Sequence, residues 1–319
     1  MRTNGRIMSA WNRRDAIRSL ALGATAAWGA GAARAADDAP PAAKEETWPA
    51  VDVLVCGGGP AGVAAALMAA RAGRKTLLVA RYGRLGGMAV QAMVGPLMGS
   101  VRSARVDEIL AALGGRNVDY EGIDLVYADL LEKAGARILL HAWAAEPLLE
   151  GGRVAGARLV TKQGPIAVPA RVTIDATGDA DLAAGAGAAF DQGCGKGANW
   201  EADGLVQPVT IMFRVAGVKH KETMEANRGR KAFRFPDGRT WNQVTKEANA
   251  KGDLPPTVGM VRTYLSRRPD ERVINATQVN GIDGTKVADL TRAELEGRRQ
   301  VQPILEFLQI GRASCRERV

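Results

Sequence analysis

Val51 to Arg81 reads VDVLVCGGGPAGVAAALMAARAGRKTLLVAR, and this stretch decides the fold. Val51 to Cys56 is a short apolar run rich in β-branched residues, the composition of a parallel strand buried on both faces. Gly57-Gly58-Gly59-Pro60-Ala61-Gly62 follows at once. A helix pattern of small and apolar residues then runs from about Pro60 to Ala72, Gly73 stops it, and Lys75 to Ala80 reads as a second strand. The result is a complete β-turn-α-β unit. The glycines of the GxGxxG pattern act mechanically, since Gly57 permits a tight turn, Gly59 lets backbone approach a pyrophosphate, and Gly62 permits close packing of helix on strand. The helix N-terminus adds unpaired amides and the positive end of a dipole. With a strand before it and a helix and strand after it, the pattern predicts dinucleotide binding at Gly57, Gly59, Pro60, Ala61 and Gly62.

The rest of the 319 residues is compatible with a globular chain of this class. With 46% hydrophobic and 24% charged residues, composition excludes a disordered or fibrous protein, and 38 glycines with 5% aromatics imply a core of Ala, Val, Leu and Ile. The formal net charge of +9 resides mostly at the two ends. Residues 1–35 carry about +5, residues 310–319 about +2, and about +2 is left for the body. No basic run with interleaved aromatics occurs, so a nucleic-acid partner is not expected. Cys56 and Cys194 lie in the body without a CxxC pair or a Cys/His cluster, which indicates no metal site.

Both ends read as additions to the fold. Asn12-Arg13-Arg14-Asp15, a weakly apolar stretch rich in Ala and Gly, and Ala33-Arg34-Ala35 resemble a twin-arginine export signal, with a disordered basic leader or an uncleaved anchor as the alternative. Residues 36–50 form the expected linker, flexible across Ala36 to Thr47, where Pro, Ala and charge lack periodicity. At the other end, Thr291 to Gln309 predicts a helix with Thr291 as N-cap and Glu294 at the third position. It runs into IGRASCRERV, which resembles a translated sequencing adapter, a real basic tail being the alternative. On the first reading residues 310–319 are not native, Cys315 has no role, and the natural chain is C-terminally truncated here.

Further motifs give the chain a family likeness. DVLVCGGGPAGVAAALMAARAGRKTLLVARYGRLGGMA, ARVTIDATGDADLAAGAGA (Ala170 to Ala188), DGLVQPVTIMFRVAGV and DLTRAELEGRRQV resemble, in that order, bacterial FAD-dependent oxidoreductases distantly related to the fumarate reductase flavoproteins. The resemblance covers about Asp52 to Gln309. It implies an α/β fold: a Rossmann-like FAD-binding domain with a β-meander, and an inserted mixed α+β substrate domain. The expected bounds are 51–190 for the first part of the FAD domain, 191–290 for the substrate domain, and 291–309 for a helix leading back. Between the motifs, Tyr120 to Ala134 predicts a helix. Arg137 to His141, Arg153 to Val160, Pro165 to Val168 and Arg171 to Asp175 predict successive strands separated by turns. Leu205 to Val218 and Glu271 to Gln278 are strand-like and belong to the second domain.

The resemblance also implies site residues. Thr177, Gly178 and Asp179 end the returning strand and would lie near the pyrophosphate and ribitol, the alternative being that Asp179 only caps the next helix. Gly86, Gly87 and Met88 would pass close to the isoalloxazine ring, or form a surface loop. Ala80 departs from the expected pattern, since the end of the second strand normally offers an acid to the ribose hydroxyls. A small residue followed by Arg81 is what a 2′-phosphate favours, so NADP(H) competes with FAD, alongside a tolerated loss or a sequence error. Arg214, His220 and Arg262 are polar groups of the second domain, and they and His141 are expected to be structural or solvated. No catalytic residue is assigned. The expected partners are a small-molecule substrate, an electron acceptor and, in transit, the export machinery of the membrane.

Overall fold

The structure is a computed structural model that describes residues 44–95, 97, 99, 103–115, 120–193, 206–218, 237–266 and 268–310. The export signal, most of the linker, Cys194, His220 and the terminal stretch from Gly311 lie outside the described residues. Strand β1 (Glu46–Thr47) precedes β2 (Val51–Cys56), and helix α1 (Pro60–Arg71) leads to β3 (Thr76–Val79). Helices α2 (Met88–Gln91), α3 (Ala104–Ala112) and α4 (Ile123–Lys133) come next. The chain then forms β4 (Arg137–Leu139), β5 (Trp143–Glu150), β6 (Arg153–Thr161), β7 (Gly164–Asp175) and α5 (Asp181–Gly185).

These strands make one sheet in the order β4-β3-β2-β7-β6-β5. The first four are mutually parallel, whereas β5, β6 and β7 pair antiparallel as a meander. β2 and β3 are buried along nearly their whole length, with Leu54, Val55 and Leu78 fully enclosed. Each such side chain contributes roughly 1.5–3 kcal/mol by leaving water, an upper estimate because the unfolded chain is itself partly compact. Small residues on α1 let it lie close on the sheet: Gly62, Val63, Ala66, Leu67 and Ala70 recur at helical spacing and are all buried.

The two expected strands at 165–168 and 171–175 are one strand, β7, which changes partner along its length. Its first half pairs with β6 through Gly164 to Pro169 and with β1 on the other side, and its second half runs parallel to β2 from Ala170 to Asp175. Pro169 at the changeover gives up an N–H without breaking the strand, because the ladder transfers to β2 at that point. Gly156 opposite has φ +147°, and a Cβ there would stand 2.2 Å from Val168 O. Strand β5 has no counterpart among the expected elements, since Trp143–Glu150 holds two Ala, a Pro and two Glu and is largely exposed. Glu46 and Thr47, expected within the linker, instead pair with Ile166 and Ala167.

The second sheet has the order β8-β10-β9, formed by β8 (Met212–Val215), β9 (Arg262–Leu265) and β10 (Arg272–Asn275), all antiparallel. Helix α6 (Trp241–Lys251) begins in a capping box between Thr240 and Gln243 and ends at Gly252 in the left-handed conformation. Alternation at period two splits the sheet faces. Ile274, Phe213 and Val215 pack with Ile304 and Phe307 of helix α7 (Val287–Ile310), and Met212 and Val273 join the core beneath α4. Helix α7 starts a turn before the expected cap. Thr291 is inside it, its hydroxyl bonded to Val287 O, and the entry is organised by Asp283, which accepts from Thr285, and by Asp289, which accepts from Asp283 N.

Candidate functional site

The carboxyl ends of β2, β3 and β7 converge, and the ladder extends past each strand. Gly57 N donates to Val79 O, Ala80 N to Leu139 O and Ala176 N to Cys56 O, all within 2.9 Å. At two points of this edge there is no room for a side chain. Gly57 has φ +120°, and a Cβ on it would lie 2.1 Å from Ala176 O, while one on Gly62 would lie 1.8 Å from Gly57 O. Gly59 caps α1 with no side-chain hydrogen bond, Pro60 opens the helix, and its first turn holds no acid. The amides of Ala61 and Gly62 therefore face out of the helix end, where an anion is stabilised.

Tyr82 to Gly87 returns over this turn as an ordered segment. Gly86 N donates to Gly58 O at 2.8 Å, and Leu85 N donates to Asp124 Oδ1 at 2.6 Å. Arg84 donates to Glu121 O and pairs with Asp124. Gly87 faces Gly59: a Cβ on Gly59 would be 3.9 Å from Gly87 Cα. Met88, at the start of α2, is 67% exposed. Two backbone segments free of side chains thus face each other at the mouth of α1, a cradle that fits a pyrophosphate.

On β7 the turn is organised by Asp175, a residue that no motif in the sequence singles out. Its Oδ1 accepts from Thr177 N and Thr177 Oγ1, and its Oδ2 accepts from Ala183 N. Thr177 Oγ1 in turn accepts from Asp181 N. Asp175 and Thr177 therefore cap α5, and Asp179 does not. Gly178 and Asp179 stand exposed past the end of β7, with Ala180 after them at φ +56°, while Ala176 O and Thr177 N are the atoms that stand against Gly57. The legible cue is an acid two residues before a Thr at a strand end, the spacing of an Asx-turn. Cys56, at the foot of the same turn, is wholly buried, and burial, reinforced by the Asp175 charge, pushes its thiol up to about 12.

Ala80 is buried with its Cβ toward Gly58, on which a Cβ would come within 2.6 Å. The position offers no acceptor. Arg81 next to it is exposed, its guanidinium carbon 4.6 Å from the Tyr82 ring centroid and 5.4 Å from that of Trp143. His141 lies against Gly83, with φ +56°, at the end of β4. Of the second-domain residues, Arg214 pairs with Glu121 at 2.8 Å and with Glu271 at 3.6 Å, so it ties β8 to the turn before α4. Arg262 is exposed on β9. These contacts do not bring either arginine to the cradle.

The chain is similar to several known proteins. Over 152 residues the chain is 33% identical to thiamine thiazole synthase of Methanococcus aeolicus, covering 42% of this chain and 57% of that protein. A geranylgeranyl bacteriochlorophyll reductase-like protein from Thermoplasma acidophilum superposes with a TM-score of 0.48 at 18% identity, covering 82% of this chain and 62% of that one. THI4 from Thermovibrio ammonificans gives 0.34 at 24% identity, covering 42% and 60%. The chain thus spans 57% to 62% of the length of these relatives. The family model described as FAD dependent oxidoreductase matches residues 52–313. With most of its length inside that match and a glycine cradle at the expected strand ends, the chain belongs to the FAD dependent oxidoreductase family, with FAD as its cofactor.

Proposed function

We propose that the chain exchanges a hydride or an electron pair between a small organic substrate and bound flavin, with an external electron acceptor closing the cycle. The observation that carries this reading is the facing pair of side-chain-free segments, Gly57 to Gly59 and Gly86 to Gly87, at the N-terminus of α1. The turn of Gly57, Gly59, Pro60, Ala61 and Gly62 lies against the pyrophosphate, with the helix-end amides of Ala61 and Gly62 as its donors, while Gly57 N stays on Val79 O and Pro60 opens the helix. Thr177, Gly178 and Asp179 hold the adjoining ribitol, and Gly86, Gly87 and Met88 line the ring. FAD, when bound, supplies the two-electron redox chemistry, so the chain needs no nucleophile or triad of its own. Its residues bind, orient and exclude water. The second sheet, through the face that carries Met212 and Val273, supports the substrate side. Residues 51–190 begin the FAD domain, 191–290 form the substrate domain, 291–309 lead back, and residues 1–35 direct export by the twin-arginine route.

Ala80 and Arg81 support a second reading, an NADP(H)-binding oxidoreductase, and a cofactor-free binding protein is a third. The purified 319-residue chain is expected to show flavin absorption bands in the visible and to release FAD on denaturation. A folded, colourless protein that added FAD neither binds nor stabilises would overturn the flavoenzyme reading. A response to NADPH without flavin would favour the second.

A further inference from the structure

The end of β3 departs from the usual polarity of a dinucleotide site. Ala80 supplies no carboxylate, and its Cβ is packed toward Gly58. Arg81 follows it on the same strand end, with the Tyr82 and Trp143 rings both against its guanidinium. These rings are 42% and 54% exposed, so the cluster is open to a ligand. Cation–π contact restrains the planar group and leaves its in-plane N–H donors directed outward. No hydrogen bond or ion pair to the Arg81 guanidinium is found among the described residues. By contrast, Arg84 on the same loop is engaged by Asp124 and Glu121 O.

We propose that Arg81, bracketed by Tyr82 and Trp143, is the specificity-determining anchor of the adenosine end, donating to ribose and purine acceptors where a carboxylate would ordinarily accept. This rests on the flavoenzyme reading above. A consequence follows from charge alone. A carboxylate repels a 2′-phosphate, and a site built on Ala80 and Arg81 lacks that repulsion. The adenosine end therefore admits the phosphorylated ribose at least as readily as the free one.

The test uses the full-length chain stripped of flavin, with dissociation constants measured by fluorescence titration for FAD and FMN and by competition for ADP-ribose and 2′-phospho-ADP-ribose. Arg81→Ala is expected to weaken FAD about tenfold and to leave FMN, which lacks the adenosine, unchanged. Trp143→Ala, which frees the guanidinium, is expected to weaken FAD about threefold. On the parent the 2′-phosphate should compete no more than about threefold less tightly than ADP-ribose, and Ala80→Glu should open a preference for ADP-ribose of about tenfold. The Arg81 and Trp143 side chains are exposed, and an unchanged melting temperature in their variants separates lost binding from lost folding. Unaltered FAD affinity in Arg81→Ala overturns the proposal while leaving the flavoenzyme reading intact. So does a parent that already rejects the 2′-phosphate tenfold. A parent that binds neither FAD nor FMN overturns the flavoenzyme reading itself.

Discussion

The ends of β2 and β3 lie side by side at one sheet edge, and they use opposite means. At the end of β2 every important contact is made by backbone: Gly57 and Gly62 stand where any Cβ would collide with a carbonyl oxygen. At the end of β3 the contacts are made by side chains, with Arg81 lying over Tyr82 and Trp143. Sterics leave the first region one solution. The second can be rebuilt with different chemistry while the strand beneath it stays the same.

The sharpest way to break this contrast is to add a methyl group where the backbone closes. Gly57→Ala combines a contact of 2.1 Å with φ +120°, and Gly62→Ala a contact of 1.8 Å. Each is expected to cost at least about 3 kcal/mol by chemical denaturation and to abolish flavin retention. Gly59→Ala sharpens the point, because its Cβ meets only Gly87 Cα at 3.9 Å. That variant should fold with near-parental stability and still lose affinity for FAD. Parental stability in all three would refute the steric account.

Next in size is Asp175→Ala. It removes the acceptor for Thr177 N, Thr177 Oγ1 and Ala183 N, and is expected to cost about 2–3 kcal/mol by chemical denaturation. Asp179→Ala, by contrast, should leave stability within about 0.5 kcal/mol while lowering FAD affinity.

A further effect is nil at neutrality and appears only at alkaline pH. Cys56 keeps its proton in the folded state up to about 12, against 9.0 as its ordinary value. The folded form therefore binds more protons than the unfolded one between those values. Stability from this group is intact below pH 9.0 and falls as pH rises toward about 12, by up to about 1.4 kcal/mol per unit. Relative to Cys56→Ala, the parent should lose stability over that window only, and its thiol should resist alkylation at about pH 8, below the ordinary thiol range, until the chain unfolds.

The smallest effect is expected at Arg214→Ala. Its partner Glu121 is half exposed, and although Glu271 is nearly buried, it keeps Arg268 at 3.1 Å. A stability change below about 1 kcal/mol, read as a small shift in melting temperature, is the outcome for an ion pair of this exposure.

How far the molecule is legible follows the same division. Val51–Cys56, α1 and the turn between them are readable because a buried parallel strand, a small-residue helix and three spaced glycines each have a local cause. The helix before β4 and the strand-like stretches of the second sheet are readable by period, though their ends lie a few residues from where the pattern puts them. β5 is not readable, because its exposed, polar composition becomes a strand only through pairing with β6. The join of two expected strands into β7 is also hidden, since it depends on β2 taking over as partner where Pro169 interrupts the first ladder.

By itself the amino-acid sequence determined where the glycine turn after β2 lies and that position 80 carries no acid, for both are matters of residue type and local spacing. Tertiary structure alone decided that Asp175, rather than Asp179, caps α5, and that Trp143, far along the chain from Arg81, closes on its guanidinium. Both depend on elements distant in the chain meeting at one sheet edge. That meeting is set by strand order, which no local stretch of sequence encodes.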